Sequence, residues 1–176
     1  RLRHGDLLDA VHEAEAAADL IVIGKRGEAA DFAKLHLGSN LERVVRASRK
    51  PVLVASRAFA PIERILIAFD GGPSAMRAVE HVAASPLFAG LECRMLTVGS
   101  DTADARAKLD RATGILRAGG LVVQADIRLG QPEAVIAETV EAEKIGLLVM
   151  GAYGHSRIRN LIIGSTQAEV DDRLAR

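Results

Sequence analysis

The run Gly151-Ala152-Tyr153-Gly154, followed after nine intervening residues by Gly164-Ser165-Thr166, is suited to holding phosphate. It follows the apolar stretch Leu147-Leu148-Val149-Met150 and precedes a helix-like segment from Ser165, so it reads as strand, glycine-punctuated loop and helix start. Glycines just past a strand let the backbone approach a ligand with no Cβ in the way. The first N–H groups of a helix, unpaired within it, can point at an anion. Ser165 and Thr166 add hydroxyl donors. The spacing is neither Gly-x-Gly-x-x-Gly nor Walker-type, and no Gly-Lys-Ser/Thr occurs, which excludes the familiar dinucleotide and P-loop readings. The same residues also serve a helix cap that binds nothing: Thr166-x-x-Glu169 and Ser39-x-x-Glu42 both have the form of a capping box.

Two features favour a ligand. Leu20-Ile21-Val22-Ile23-Gly24-Lys25-Arg26-Gly27, then Gly38-Ser39-Asn40, echoes the order from Leu147 to Thr166, with ten residues rather than nine in the spacer. Each copy also has a similar lead-in, Arg3-His4-Gly5-Asp6 and Arg128-Leu129-Gly130-Gln131. The second feature is Ile65-Leu66-Ile67-Ala68-Phe69, a buried-strand run that ends in Asp70-Gly71-Gly72-Pro73, the proline suiting a helix's first turn. In a doubly wound sheet, ligands bind beyond the carboxyl ends of strands where the winding reverses. With the Ile65 and Leu147 strands as neighbours there, the Asp70 and Gly151 loops face one crevice. A carboxylate then holds a ribose hydroxyl or base-edge donor while the glycine loop holds phosphate.

The elements that must position these loops alternate along the chain. Helices are expected near Asp6–Ala18, Ser39–Arg49, Ser74–Ala84, Ala105–Ala118 and Pro132–Glu143, and strands near Leu20–Ile23, Val52–Ala55, Ile62–Phe69, Leu91–Val98, Leu121–Ile127 and Leu147–Met150. Such alternation indicates α/β architecture with a doubly wound, mostly parallel sheet, Rossmann-like and covered on both faces. The 176 residues hold one full unit and part of another. Residues 1–55 read as the closing part of a first unit, 56–61 as a linker, and 62–176 as a second unit lacking its final strand.

Composition narrows the function classes. Net charge is formally zero, which recommends no nucleic-acid surface, and one tyrosine, four phenylalanines and no tryptophan supply few stacking platforms. The lone cysteine, Cys93, lies in an apolar run as a strand residue and excludes an intrachain disulfide and a cysteine-based zinc site. His4, His12, His36, His81 and His155 lack metal-ligand spacing, so no metal site is expected. The sequence adjacency of His155 and Ser156 does not make a nucleophile and base, and no catalytic residue is identified. Arg157 and Arg159, flanking Ile158, are placed to neutralise phosphate, but alternating basic residues in a loop read more readily as simply exposed. No apolar stretch reaches bilayer length, no leader is evident, and a reducing, cytoplasmic setting is expected.

These residues resemble the universal stress protein family in a tandem arrangement. The signature Gly, two residues, Gly, nine residues, Gly, Ser or Thr matches at Gly151, Gly154, Gly164 and Ser165. The Asp-Gly after the first strand matches at Asp70-Gly71, the second-strand exit at Thr97-Val98, and Gly-x-Pro at Gly130 and Pro132. The resemblance implies the adenine nucleotide alpha hydrolase-like fold and an ATP ligand, with or without magnesium. Asp70, Gly71 and the backbone near Val98 would meet the adenine end. Gly151, Gly154, His155, Gly164, Ser165 and Thr166 would hold ribose and phosphates, with Gly130 at the third-strand exit. The sequence departs from the family at Gly72 and Ala75, where serines are common, and in the first copy Glu28 stands where His155 stands in the second. An acid there repels polyphosphate, so the first site is expected to be degenerate.

The leading expectation is a stress-response protein for which bound nucleotide is a structural or regulatory ligand rather than fuel. A nucleotide-free interaction module is the alternative, pairing with a second copy or between its own tandem units through short apolar strands such as Val52–Ala55. Slow ATP hydrolysis is the third reading.

Overall fold

The computed structural model describes residues 5–24, 39–56 and 60–151, apart from the side chains of Ser39, Asn40 and Glu42. The chain divides into two compact units, Arg1–Phe59 and Ala60–Arg176.

In the first unit, helix α1 (Leu7–Glu15) leads to strand β1 (Ile21–Gly24), and helix α2 (Ser39–Ala47) leads to strand β2 (Val52–Ala55). The strands pair in parallel from Ile21 opposite Val52 to Gly24 opposite Ala55. Leu41 and Val44 of α2 are buried. Asp6 caps α1, its Oδ1 accepting from Leu8 N at 2.8 Å, as a short acceptor ahead of a helix should. Helix α2 already includes Ser39, so the helix opens one residue earlier than a Ser39 cap requires.

α1 stops short of the alanine-rich end expected for it. Ala17 N and Ala18 N bond to the carbonyls three residues back, Ala14 O and Glu15 O, which tightens the last turn. The Glu15 side chain turns away into a long-range clamp. Its Oε1 accepts from Ser48 Oγ at 2.5 Å and Arg49 N at 2.9 Å, fixing α1 to the loop between α2 and β2. Only 6% of Glu15 is exposed. The Ser48 hydroxyl and, after the opposing effect of burial, the Arg49 amide hold its carboxyl below the usual glutamate range. A depressed folded-state pKa stabilises above the unfolded value and the benefit is lost as pH falls through the folded one. Hydrogen-exchange protection of α1 should therefore decline as pH drops below the ordinary carboxylate range. Glu15→Gln should flatten that decline, leaving the slope due to Asp6, which is lowered chiefly by its bond to Leu8 N.

The second unit holds β3 (Arg64–Ala68), α3 (Pro73–Ala84), β4 (Glu92–Val98), α4 (Ala103–Ala118), β5 (Val122–Arg128), α5 (Pro132–Ala142) and β6 (Leu147–Met150). All four strands are parallel, in the order β5-β4-β3-β6. Parallel strands need crossovers, and the helices cover both faces. Ile65, Ile67, Cys93 and Met95 pack with Val79 and Val82 of α3 and Leu109, Ala112 and Leu116 of α4. On the opposite face Leu66 and Leu96 pack with Val135 and Ile136 of α5. This is the doubly wound parallel sheet that the alternation of apolar runs predicts. Strand β3 begins at Arg64 rather than Ile62, which is 41% exposed, and pairing starts where Glu92 N meets Glu63 O. Helix α4 starts before Ala105 because Thr102 Oγ1 caps it, accepting from Ala105 N at 3.1 Å. A short 3₁₀ turn, Pro86–Phe88, follows α3.

Candidate functional site

The chain builds the second unit's sheet outward from β3 through β4 to β5, then crosses back to place β6 on the other side of β3. The winding therefore reverses between β3 and β6. Their carboxyl ends are the place where an open α/β sheet leaves a crevice. Ala68 pairs with Met150 at the last register position of the two strands, so the Asp70 turn and Gly151 leave the sheet side by side.

The Asp70 turn is internally ordered. Phe69 N donates to Leu96 O at 2.9 Å, which carries pairing to the last residue before the turn. Asp70 Oδ1 accepts from Gly72 N at 2.8 Å, a side-chain-closed turn that leads into Pro73 at the first position of α3. Gly71 has φ +76°, a left-handed conformation that glycine adopts without penalty. The Lys108 stem lies across it, with Cδ 3.0 Å from where a Cβ would be, while the Lys108 ammonium pairs with Asp104 at 2.7 Å. Asp70 is exposed.

Gly151 faces the same turn. A Cβ there would lie 2.7 Å from Ala75 N and 2.8 Å from Ser74 Oγ, so the start of the glycine loop is pressed onto the first turn of α3. Nothing larger than glycine fits without moving backbone. Ser74, which stands out of step with the family's serines, is thus the hydroxyl nearest this junction on the α3 side.

Val98 ends β4 and Gly130 follows β5, so both lie on the same carboxyl edge, one and two strands from β3. Gly99 N donates to Arg128 O at 2.9 Å, joining the two exits. Gly130 has φ +143°, and a Cβ there would sit 2.6 Å from Val135 Cγ2, so α5 can start close to the sheet only over glycine. Thr97 Oγ1, next to Val98, is buried with no hydrogen-bond partner among the described residues. The structure thus brings Asp70, Gly71, Val98, Gly130 and Gly151 to one edge. Gly154, His155, Gly164, Ser165 and Thr166 lie outside the described residues, as do Arg157 and Arg159 and the first copy's Lys25 to Gly38.

Two shallow hollows of about 140 and 130 Å³ lie elsewhere, along β4, β5 and the flanking helices. Their charged groups are largely satisfied internally: Arg94 by Glu143 and Gln124, Arg128 by Glu138 and Thr139, Arg106 by Asp101. Neither hollow lies at the β3–β6 reversal, where an open α/β sheet leaves its crevice. Among the described residues no group of three or more His, Cys, Asp or Glu could hold a metal ion. Cys93 is buried in β4 and burial raises its thiol to about 11, well above neutrality. No helix among the described residues is long and apolar enough to cross a membrane.

The sequence model of the universal stress protein family matches residues 2–56 and 94–171. The chain belongs to the universal stress protein family. A universal stress protein from Synechocystis sp. is 42% identical over 168 residues, covering 94% of this chain and 58% of the relative, so the chain spans less than two thirds of that protein. The crystal structure of a universal stress protein from Archaeoglobus fulgidus superposes with TM-score 0.68 at 29% identity, over 96% of this chain and 62% of that one. A looser likeness is a universal stress protein from Arabidopsis thaliana with AMP bound, at TM-score 0.48 and 17% identity, over 60% of this chain and 85% of that one. At that distance the AMP is a property of the Arabidopsis protein. The family match draws on both units of this universal stress protein, and its second segment runs from β4 through the glycine signature.

Proposed function

We propose that this universal stress protein binds an adenine nucleotide, ATP in the first instance, at the carboxyl edge of the second unit's sheet, and that the nucleotide acts as a structural or regulatory ligand in a cytoplasmic stress response. The observation that carries the reading is the packing of Gly151 onto the helix turn that follows Asp70, at the point where the winding reverses. That junction joins an acid to a glycine-punctuated loop in one small region. In this reading Asp70 accepts from a ribose hydroxyl or a base-edge donor, and the backbone at Gly71, Val98 and Gly130 lines the adenine end. Gly151, Gly154, His155, Gly164, Ser165 and Thr166 cradle ribose and phosphates through backbone N–H and hydroxyl donors. The family resemblance of the glycine signature supports the phosphate role. The chain's own groups bind and orient; no residue is proposed to make or break a bond.

A ligand that binds only the folded form stabilises it by mass action, by roughly 2.7 kcal/mol at a hundredfold excess over Kd. Thermal unfolding of the chain with ATP and magnesium should therefore show a rise in melting temperature that grows with ligand concentration, smaller for AMP. Absence of any shift with ATP, ADP and AMP would reject the reading in favour of a nucleotide-free interaction module.

A further inference from the structure

Strand β5 lies at the edge of the four-stranded sheet among the described residues, and an edge of seven residues invites a second copy to add to it. Along a strand, successive residues direct their backbone groups to opposite sides. Arg128 O bonds toward β4, so Val123, Ala125 and Ile127 direct theirs outward. Two of those six outward groups are already occupied by the chain itself. Arg117, from the last turn of α4, donates through Nη2 to Val123 O at 3.2 Å, and Asp126 Oδ1 accepts from Ile127 N at 2.9 Å.

The choice of groups is informative. When two β5 edges meet antiparallel about a twofold through Ala125, Val123 of each copy lies opposite Ile127 of the other, and each pair needs Val123 O to accept from Ile127 N. Those are the two groups that Arg117 and Asp126 engage. Pairing in this register would forfeit two of its six ladder bonds or break both side-chain contacts in both copies. Both guarding side chains are on exposed residues, so they hold the edge without drawing on the core.

We propose that Arg117 and Asp126 close the β5 edge to a second copy of this chain, so that any self-association of the protein uses another surface. The proposal is independent of the nucleotide reading. Sedimentation velocity of the full chain tests it. Arg117→Ala combined with Asp126→Ala should self-associate through β5 about tenfold or more tightly than the wild-type chain does, the worth of a couple of restored hydrogen bonds. Adding Ala125→Pro, which deletes the central outward N–H, should restore the wild-type mass, and Ala125→Pro alone should leave that mass unchanged. Should circular dichroism find Ala125→Pro unfolded, Ala125→Cys carries the same test: disulfide-linked dimers should form in the double-alanine background and not in the wild-type background. The proposal is overturned by a double variant that keeps the wild-type mass, or by Ala125→Pro dissociating a wild-type assembly. Ready cross-linking of Ala125→Cys in the wild-type background would overturn it as well.

Discussion

Gly151→Val is expected to lower the stability of the second unit by roughly 2–4 kcal/mol and to abolish its stabilisation by nucleotide. The magnitude follows from what the new side chain would strike. Ala75 N and the Ser74 carbonyl carbon are backbone atoms, at 2.7 and 2.9 Å from the Cβ position, and they belong to the first turn of α3. They cannot swing aside as a side chain can. Relief requires β6 and α3 to separate, which opens the β3–β6 pairing that forms the crevice. Gly71→Ala makes a useful contrast. Its obstacle is the far stem of Lys108, which can move, and its cost is the φ of +76°, roughly 1 kcal/mol for a residue bearing a Cβ. Chemical denaturation should rank Gly151→Val well above Gly71→Ala.

Asp70→Ala should weaken nucleotide binding by about 10- to 100-fold, as expected for losing a charge-assisted hydrogen bond to a ligand hydroxyl. Its effect on unliganded stability should be under about 1 kcal/mol, because the bond it loses, to Gly72 N, is exposed and local. Asp70→Asn separates the two roles. The amide oxygen can still accept from Gly72 N and keep the turn, while the carboxylate charge is gone. Asn should therefore leave stability unchanged and still bind nucleotide several-fold more weakly than Asp. Loss of affinity that merely tracks loss of stability in both variants would mean that Asp70 only closes its turn. Isothermal titration calorimetry beside denaturant unfolding separates these outcomes.

Much of this arrangement is legible in the sequence because burial and topology leave local traces. The fully buried run Ile65-Leu66-Ile67 announces a strand covered on both faces, and the alternation with helices forces parallel crossovers. Parallel crossovers with a single reversal bring the first and last described strands of the unit together, so the proximity of Asp70 and Gly151 follows from topology before any distance is known. The glycine signature shows where a backbone must come close, but not what it comes close to. That Gly151 abuts Ser74 rather than open space depends on packing across 77 residues of chain.

What the sequence hides is side-chain to backbone chemistry over long separations. Glu15 looks like one more polar helix residue, and its engagement with Ser48 and Arg49 exists only once α1 and the α2–β2 loop are folded together. Lys108 looks like an i, i+4 partner of Asp104, which it is, yet its stem also covers Gly71. Arg117 carries no sequence sign that it will reach round to Val123 O, and the apolar pattern begins α4 later than the Thr102 cap does. Apolar periodicity reports which face is buried. It is silent about which exposed polar group finishes a turn or closes an edge.

Backbone amide chemical shifts recorded while ATP is titrated into the chain would show whether the two turns share one nucleotide cleft. Gly71, Gly72, Gly99, Gly130 and Gly151, residues from four separate strand exits, are expected to shift together along a single saturating curve, while amides of the β4–β5 hollows, such as Asp126, stay in place. Shifts confined to those hollows, or no saturable change at Gly71 and Gly151, would contradict a nucleotide cleft between the two turns.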